Sequence, residues 1–200
     1  PCEPTDLTDR IAESILKATI SAGKTLMENP EDYDARANMM WASSLSHNDL
    51  TGCGRVNALP VHQLEHALSG EYDEIAHGTG LAVLFPAWAK YIYKHNIPRF
   101  AQFARRVWDC TEENDEAAAL CGIQKMEEYF AGKLIDEAGL KGFSIGGAKI
   151  SEKHANYVIN YNNATSQDIY SLIKHVKKRV YSLFEIDLKE ELKYVGDFDD

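Results

Sequence analysis

Several features that narrow a function quickly are missing from this 200-residue sequence. No apolar run reaches the roughly 18 residues that a membrane-spanning helix needs. Basic charge is in deficit: 21 Lys and Arg stand against 31 Asp and Glu, a formal net charge of −10 with His neutral. Such a surface repels phosphate and excludes nonspecific nucleic-acid binding. The four cysteines, Cys2, Cys53, Cys110 and Cys121, include no CxxC pair. Reduced thiols and a cytoplasmic setting are therefore expected. There is no signal-peptide pattern, and the first residue is Pro rather than Met, which reads as a processed chain or a fragment. No linker rich in Pro, Gly or Ser, no internal repeat and no low-complexity tract divides the sequence.

A further absence is positional. After residue 130 there is no Cys, Trp, Met or Pro, although the preceding residues hold all 4 Cys, 3 Trp, 4 Met and 6 Pro. Residues 131–200 carry 10 basic and 11 acidic side chains, a balance of −1, which leaves −9 for residues 1–130. The break predicts two segments of different origin, residues 1–129 and 130–200, joined near Tyr129–Ala131 in continuous sequence and inside one helix.

What is present in the first segment has helical period. Ile11, Ile15, Ala18, Ala22 and Leu26 recur at steps of three and four behind a Thr5/Thr8 cap region. Ala37, Met40, Trp41, Ser44, Leu45 and Asn48 form a second stripe, with small residues that allow close helix approach. Pro60 suits the first turn of a third helix over Val61–Leu68, because its missing N–H would have no partner there. Gly78 and Gly80 open a fourth helix over Leu81–His95, and further helices are expected from Pro98 to Trp108 and from Asn114 to Phe130.

The chemistry gathers at residues 62–77. His62-Gln-Leu-Glu-His66 sets two imidazoles four positions apart on one helix face, a spacing for two ligands or for a ligand and a proton carrier. It is not HExxH, since the Glu sits elsewhere. His77, beside Gly78, reads as a loop histidine able to reach a metal on the preceding helix. Spacing alone leaves these three open as ordinary, partly buried histidines. Glu65 is expected as a solvated helix charge, the alternative being an acceptor that orients an imidazole.

The run GRVNALPVHQLEHALSGEYDEIAHGTGLAVLFPAWAKYIYKHN, with DYDARANMMWASSLSHNDL ahead of it, resembles the helical C-terminal domain of iron-containing, butanol-type alcohol dehydrogenases. The likeness covers roughly residues 1–129. It implies an NADP-linked oxidoreductase in which a divalent metal, iron or zinc, is held by an Asp and three His and polarises the alcohol oxygen. His62 and His77 match two of the histidine ligands, and His66 matches the nearby non-ligand histidine of substrate and proton transfer. The implied Asp, the remaining His and the nucleotide-binding domain match nothing in these 200 residues, so weak or no metal binding is expected.

The second segment changes class. Phe143–Ser151 reads as a strand broken by Gly146-Gly147, and Ala155–Tyr161 as a β-rich run with Tyr157 and Ile159 on one side and Val158 on the other. Asn162-Asn163 is a turn, after which Thr165 caps a helix with the stripe Ile169, Leu172, Ile173, Val176, Val180 and Leu183. Leu188–Val195 is expected as a last strand and the acidic end as a frayed tail. The whole chain is thus predicted as an all-α helical segment followed by a small α+β domain. The glycine pair is a candidate phosphate loop, its alternative being a bulge or close backbone approach. Lys153-His154 is a candidate anion site.

Residues 131–196, and above all IGGAKISEKHAN, resemble the C-terminal, substrate-binding domain of UDP-N-acetylenolpyruvoylglucosamine reductase, an FAD- and NADPH-dependent enzyme of peptidoglycan synthesis. The resemblance implies Glu191, in Leu188-Lys-Glu-Glu191-Leu-Lys, as the catalytic acid, and makes Lys153 and His154 substrate-binding residues. FAD and NADP belong to the parent families, whose cofactor domains have no counterpart here. The expected whole is a fusion of two incomplete oxidoreductase fragments without catalytic activity alone. The alternatives are an alcohol dehydrogenase fragment that works with its cofactor domain, and a module that binds UDP-N-acetylglucosamine compounds. Expected partners are a small alcohol or aldehyde, a UDP-sugar and a second copy of the chain, with neither nucleic acid nor membrane.

Overall fold

A computed structural model of the chain describes residues 3–56, 58–72, 76–184, 186–190 and 192–198. Helices come first: α1 (Asp6–Glu28), α2 (Tyr33–Ser46), α3 (Pro60–Glu71), α4 (His77–Ile92), α5 (Ile97–Val107) and α6 (Asp115–Glu137). Strands β1 (Ser144–Ile145), β2 (Ala148–Ile150) and β3 (Val158–Asn160) follow, and then α7 (Ser166–Phe184). This is a helical segment followed by a small α+β unit, as the sequence predicts. Among the described residues no helix is long and apolar enough to cross a membrane. The contacts divide the chain into Pro1–Glu127 and Glu128–Asp200. The compositional junction at 129–131 falls within α6, so no loop marks it.

In the first unit the caps are local. Asp32 accepts the Ala35 N–H at 2.9 Å at the start of α2, and Pro60 occupies the first turn of α3. The buried positions are largely alanines, among them Ala22, Ala42, Ala101, Ala104 and Ala118. Small side chains let backbones approach. A Cβ on Gly122 of α6 would lie 2.5 Å from Ala104 Cβ of α5. Thr5 is the N-cap residue of α1 but its side chain makes no cap bond; Thr8 instead donates its hydroxyl to Cys53 O at 2.9 Å. Asp9, buried in α1, accepts from Arg99 of α5 at 2.5 and 2.9 Å and pairs with Arg55 at 3.0 Å. The α2 stripe does not form core as expected. Met40 is 73% and Trp41 65% exposed, while Ala35 and Ala42 are buried. The sequence period is sound, but the face that α2 turns inward is the alanine side.

In the second unit β1, β2 and β3 form an antiparallel sheet in that order, with Ile145 opposite Ala148 and Lys149 opposite Ile159. One face of α7 supplies Leu172, Ile173, Val176 and Val180 to the core, and Ile150 and Ala148 are buried on β2. The predicted cap is present as a reciprocal pair: the Asp168 N–H donates to Thr165 Oγ1 at 3.1 Å and the Thr165 N–H to Asp168 Oδ2 at 2.9 Å. Two expectations fail. The described residues of 188–195 form no strand. Their side chains attach to α7 instead, Glu190 accepting from Lys177 at 2.6 Å and Tyr194 meeting Tyr170 edge-on, with ring centres 5.3 Å apart. The end is not simply frayed either, since Phe198 stacks on Tyr170 at 4.9 Å.

Candidate functional site

The histidine cluster is built by two helices. On α3 the i, i+4 spacing turns His62 and His66 to one face, and Glu65 lies one position before His66. His77 is the first helical residue of α4, not a loop residue as expected; the helix begins four residues earlier than its glycines suggest. Gly80 explains the difference. Its missing Cβ would sit 2.7 Å from Glu65 Oε1 and 2.8 Å from Glu65 Cγ, so glycine here serves close approach inside a helix rather than a turn.

The three imidazoles converge. Ring centres are 5.5 Å apart for His62 and His77, 5.2 Å for His66 and His77, and 6.4 Å for His62 and His66. Imidazoles bound to one ion at about 2.0–2.1 Å per nitrogen place their ring centres roughly 5–6 Å apart, so each pair with His77 fits a shared divalent metal, while His62 and His66 stand wider than that. Nitrogen atoms of His66 and His77 and a carboxylate oxygen of Glu65 also lie within 4.8 Å of one another. His66 and His77 are exposed and His62 is half-buried. Burial, and then repulsion by His77 and His66, lowers the pKa of His62 below its ordinary 6.5 and favours the neutral, lone-pair form a ligand must present.

Glu65 is the candidate site residue that sequence reasoning undervalued. It is fully buried, at 0% exposure, not solvated. Its Oε2 accepts a hydrogen bond from His77 Nδ1, and Oε1 has no hydrogen-bond partner among the described residues. A carboxylate on Nδ1 fixes the tautomer and leaves Nε2 as the donor toward an ion. Position 65 gave one signal of this, since it falls on the same helical flank as Val61, which is also buried.

In the second unit Lys153 and His154 are the described residues among the catalytic and substrate-binding candidates. Lys153 and His154 are exposed in the loop after β2, where their backbone N–H groups both donate to Ser151 Oγ at 3.2 Å. Glu191 lies outside the described residues. The glycine pair is a tight hairpin rather than a phosphate cradle. A Cβ on Gly146 would meet Asp168 Oδ1 at 2.1 Å, one on Gly147 would meet Asn162 O at 2.2 Å, and the Gly147 N–H already donates to Asp168 Oδ2 at 3.2 Å. An acidic side chain holds the place an anion would need.

With that geometry in hand, known proteins place the two parts. The sequence model of the family described as UDP-N-acetylenolpyruvoylglucosamine reductase, C-terminal domain, matches residues 93–195. NADH-dependent butanol dehydrogenase B of Clostridium acetobutylicum is 43% identical over 130 residues, covering 64% of this chain and 33% of that protein. UDP-N-acetylenolpyruvoylglucosamine reductase of Caldanaerobacter subterraneus subsp. tengcongensis is 54% identical over 69 residues, 34% of this chain and 23% of that protein. The solved structure of NADH-dependent butanol dehydrogenase A from Thermotoga maritima superposes with a TM-score of 0.62 at 28% identity, over 93% of this chain and 40% of its own. The dual resemblance therefore stands. The chain spans about a third or less of the curated relatives it matches, and the dehydrogenases among them are named for NADH where the sequence resemblance implied NADP.

Proposed function

The chain belongs to the UDP-N-acetylenolpyruvoylglucosamine reductase C-terminal domain family through residues 93–195, and on that premise we propose that it couples two oxidoreductase-derived parts, neither of which turns over substrate within these 200 residues alone. The first part offers an alcohol dehydrogenase-type ligand cluster on α3 and α4. The second offers a fold for UDP-N-acetylglucosamine compounds.

Glu65 carries the reading of the first part. A carboxylate without solvent contact, committed to the Nδ1–H of a histidine beside two more imidazoles, supports a preorganised ligand group more than three surface histidines would. His62 and His77 would hold the ion, iron(II) or zinc. Bound there, it would supply polarisation of an alcohol or aldehyde oxygen. Glu65 holds the proton on His77 Nδ1. His66, exposed and 5.2 Å from His77 between ring centres, is placed to carry a proton between substrate and solvent.

Two imidazoles, or three with His66, are less than a durable four-donor shell. The one glycine pair is filled by Asp168 and Asn162, so it offers no nucleotide-phosphate cradle. In the second part, Lys153 and His154 would meet a UDP-sugar and Glu191 would act as proton donor, roles that rest on the resemblance. The setting is proposed to be cytoplasmic.

Butan-1-ol oxidation with NAD or NADP and added iron(II) or zinc tests the proposal, alongside titration calorimetry of each metal. No turnover is expected, with metal binding weaker than micromolar. Turnover by this chain without a helper, or stoichiometric submicromolar binding abolished by His62→Ala, overturns it. For the second part, UDP-N-acetylglucosamine should shift the resonances of Lys153, His154 and Glu191 saturably. No shift at millimolar ligand removes that part.

A further inference from the structure

We propose that Cys110 and Cys121 form a reversible dithiol–disulfide couple, with Cys121 as the entering thiol and Cys110 as the resolving thiol. The sulfurs lie 2.6 Å apart although the residues are 11 positions apart in sequence. Cys110 follows α5 in the turn that leads to α6, where Asp109 adopts a φ of +54° and the Cys110 N–H donates back to Ala104 O at 3.1 Å. Cys121 projects from the second turn of α6. Sulfur and carboxylate oxygen atoms of Cys110, Glu112 and Cys121 all lie within 4.8 Å of one another.

The surroundings give each thiol a different part. Cys110 is buried among Ala101, Ala104 and Ala118, while Cys121 packs at the edge of that cluster and keeps some access to solvent. Burial first, then hydrogen bonding and repulsion from Cys121, pushes the Cys110 thiol up to about 12, so it does not start the reaction. Glu112 stays ionised through its own backbone hydrogen bond and interaction with Cys121, with Lys125 nearby. Two thiolates sharing a zinc ion at about 2.3 Å each would sit roughly 3.7 Å apart, wider than this pair.

The oxidant is a low-molecular-weight disulfide. Cys121 loses its proton to solvent and attacks one sulfur of that disulfide. A mixed disulfide forms and the first small thiolate leaves, taking up a proton from solvent. Cys110 then attacks Cys121 Sγ, the second small thiolate leaves with the Cys110 proton, and the protein disulfide closes. Two protein thiols are oxidised and one small disulfide is reduced to two thiols.

The full chain, equilibrated in glutathione buffers, acid-quenched, alkylated and digested with trypsin, tests this. Both cysteines lie on one tryptic peptide, residues 107–125. That peptide should lose two hydrogens under oxidising buffer and return to two alkylated thiols with dithiothreitol. Emission of Trp108, which packs on the cluster, should change in step. Cys110→Ser should trap glutathione on Cys121. Two alkylatable thiols in the most oxidising buffer, a glutathione adduct on Cys121 that persists beside a free Cys110, or zinc retained by both thiols overturns the proposal.

Discussion

Glu65 of α3 closes its carboxylate against His77 at the first position of α4, across 12 residues of sequence and with no exposure of the acid to solvent. Gly80, one turn further along α4, is the space into which that acid fits. The two helices are thereby locked around the imidazole face.

Gly80→Ala would place a methyl group 2.7 Å from Glu65 Oε1. It should destabilise the first unit by about 1–3 kcal/mol, as overpacking does. Urea unfolding followed by tryptophan emission reports this unit, because Trp41, Trp88 and Trp108 all lie in it. The double variant with Glu65→Ala should recover part of the loss. Equal losses in single and double variants would contradict the close approach.

Acid should loosen the same unit. The Arg99 guanidinium, bonded to Asp9, holds that carboxyl far below its ordinary 3.8, with Gln102 and the Thr5 N–H acting in the same direction. A folded-state pKa below the unfolded one means stability that is complete above about pH 4 and lost as pH falls further toward the folded value. Asp9→Asn should cost about 1.5–3 kcal/mol, because it removes the charge-assisted bonds that the half-buried Arg99 and Arg55 make to a buried carboxylate, and should flatten the acid slope. An unchanged slope between pH 5 and 2 would count against the pair.

Gly147→Ala would force a Cβ to within 2.2 Å of a backbone oxygen that cannot move aside cheaply. A loss of about 3 kcal/mol, near the top of the ordinary range, is expected in the second unit. Inorganic phosphate should leave the Gly146 and Gly147 amide resonances unmoved at millimolar concentration. A saturable shift would restore the phosphate-loop reading.

Met40 and Trp41 expose large apolar surface on α2. Self-association through this face is expected as a concentration-dependent rise in sedimentation coefficient, reduced by Trp41→Glu. Identical sedimentation of both proteins across concentrations would exclude it.

The elements were legible where one period or one turn residue decides them. Pro60 placed α3 and the Thr165 cap placed α7, whereas Phe143–Ser151, expected as one strand broken by Gly146-Gly147, folds back there as β1 and β2. The apolar stripe of Leu172, Ile173, Val176 and Val180 named its own core face. The missed features depend on partners far away in sequence. Which side of α2 faces inward depends on neighbours satisfied with alanine, so Met40 and Trp41 misled. Leu188–Val195 alternates like a strand, but Lys177 and Tyr170 on α7 engage its side chains first. At the site the histidines stood out by type and spacing, whereas the burial of Glu65 follows from Gly80, 15 positions later. No local pattern announces that a glycine in a helix is the mould for a distant acid.

Gly122 adjoins Cys121 on α6, and its bare backbone rests on Ala104, whose carbonyl receives the Cys110 N–H. The omission of a single methyl group thus gauges the gap across which the two sulfurs face each other. Widening that gap by one carbon at residue 122 would part them while leaving every thiol in the chain intact.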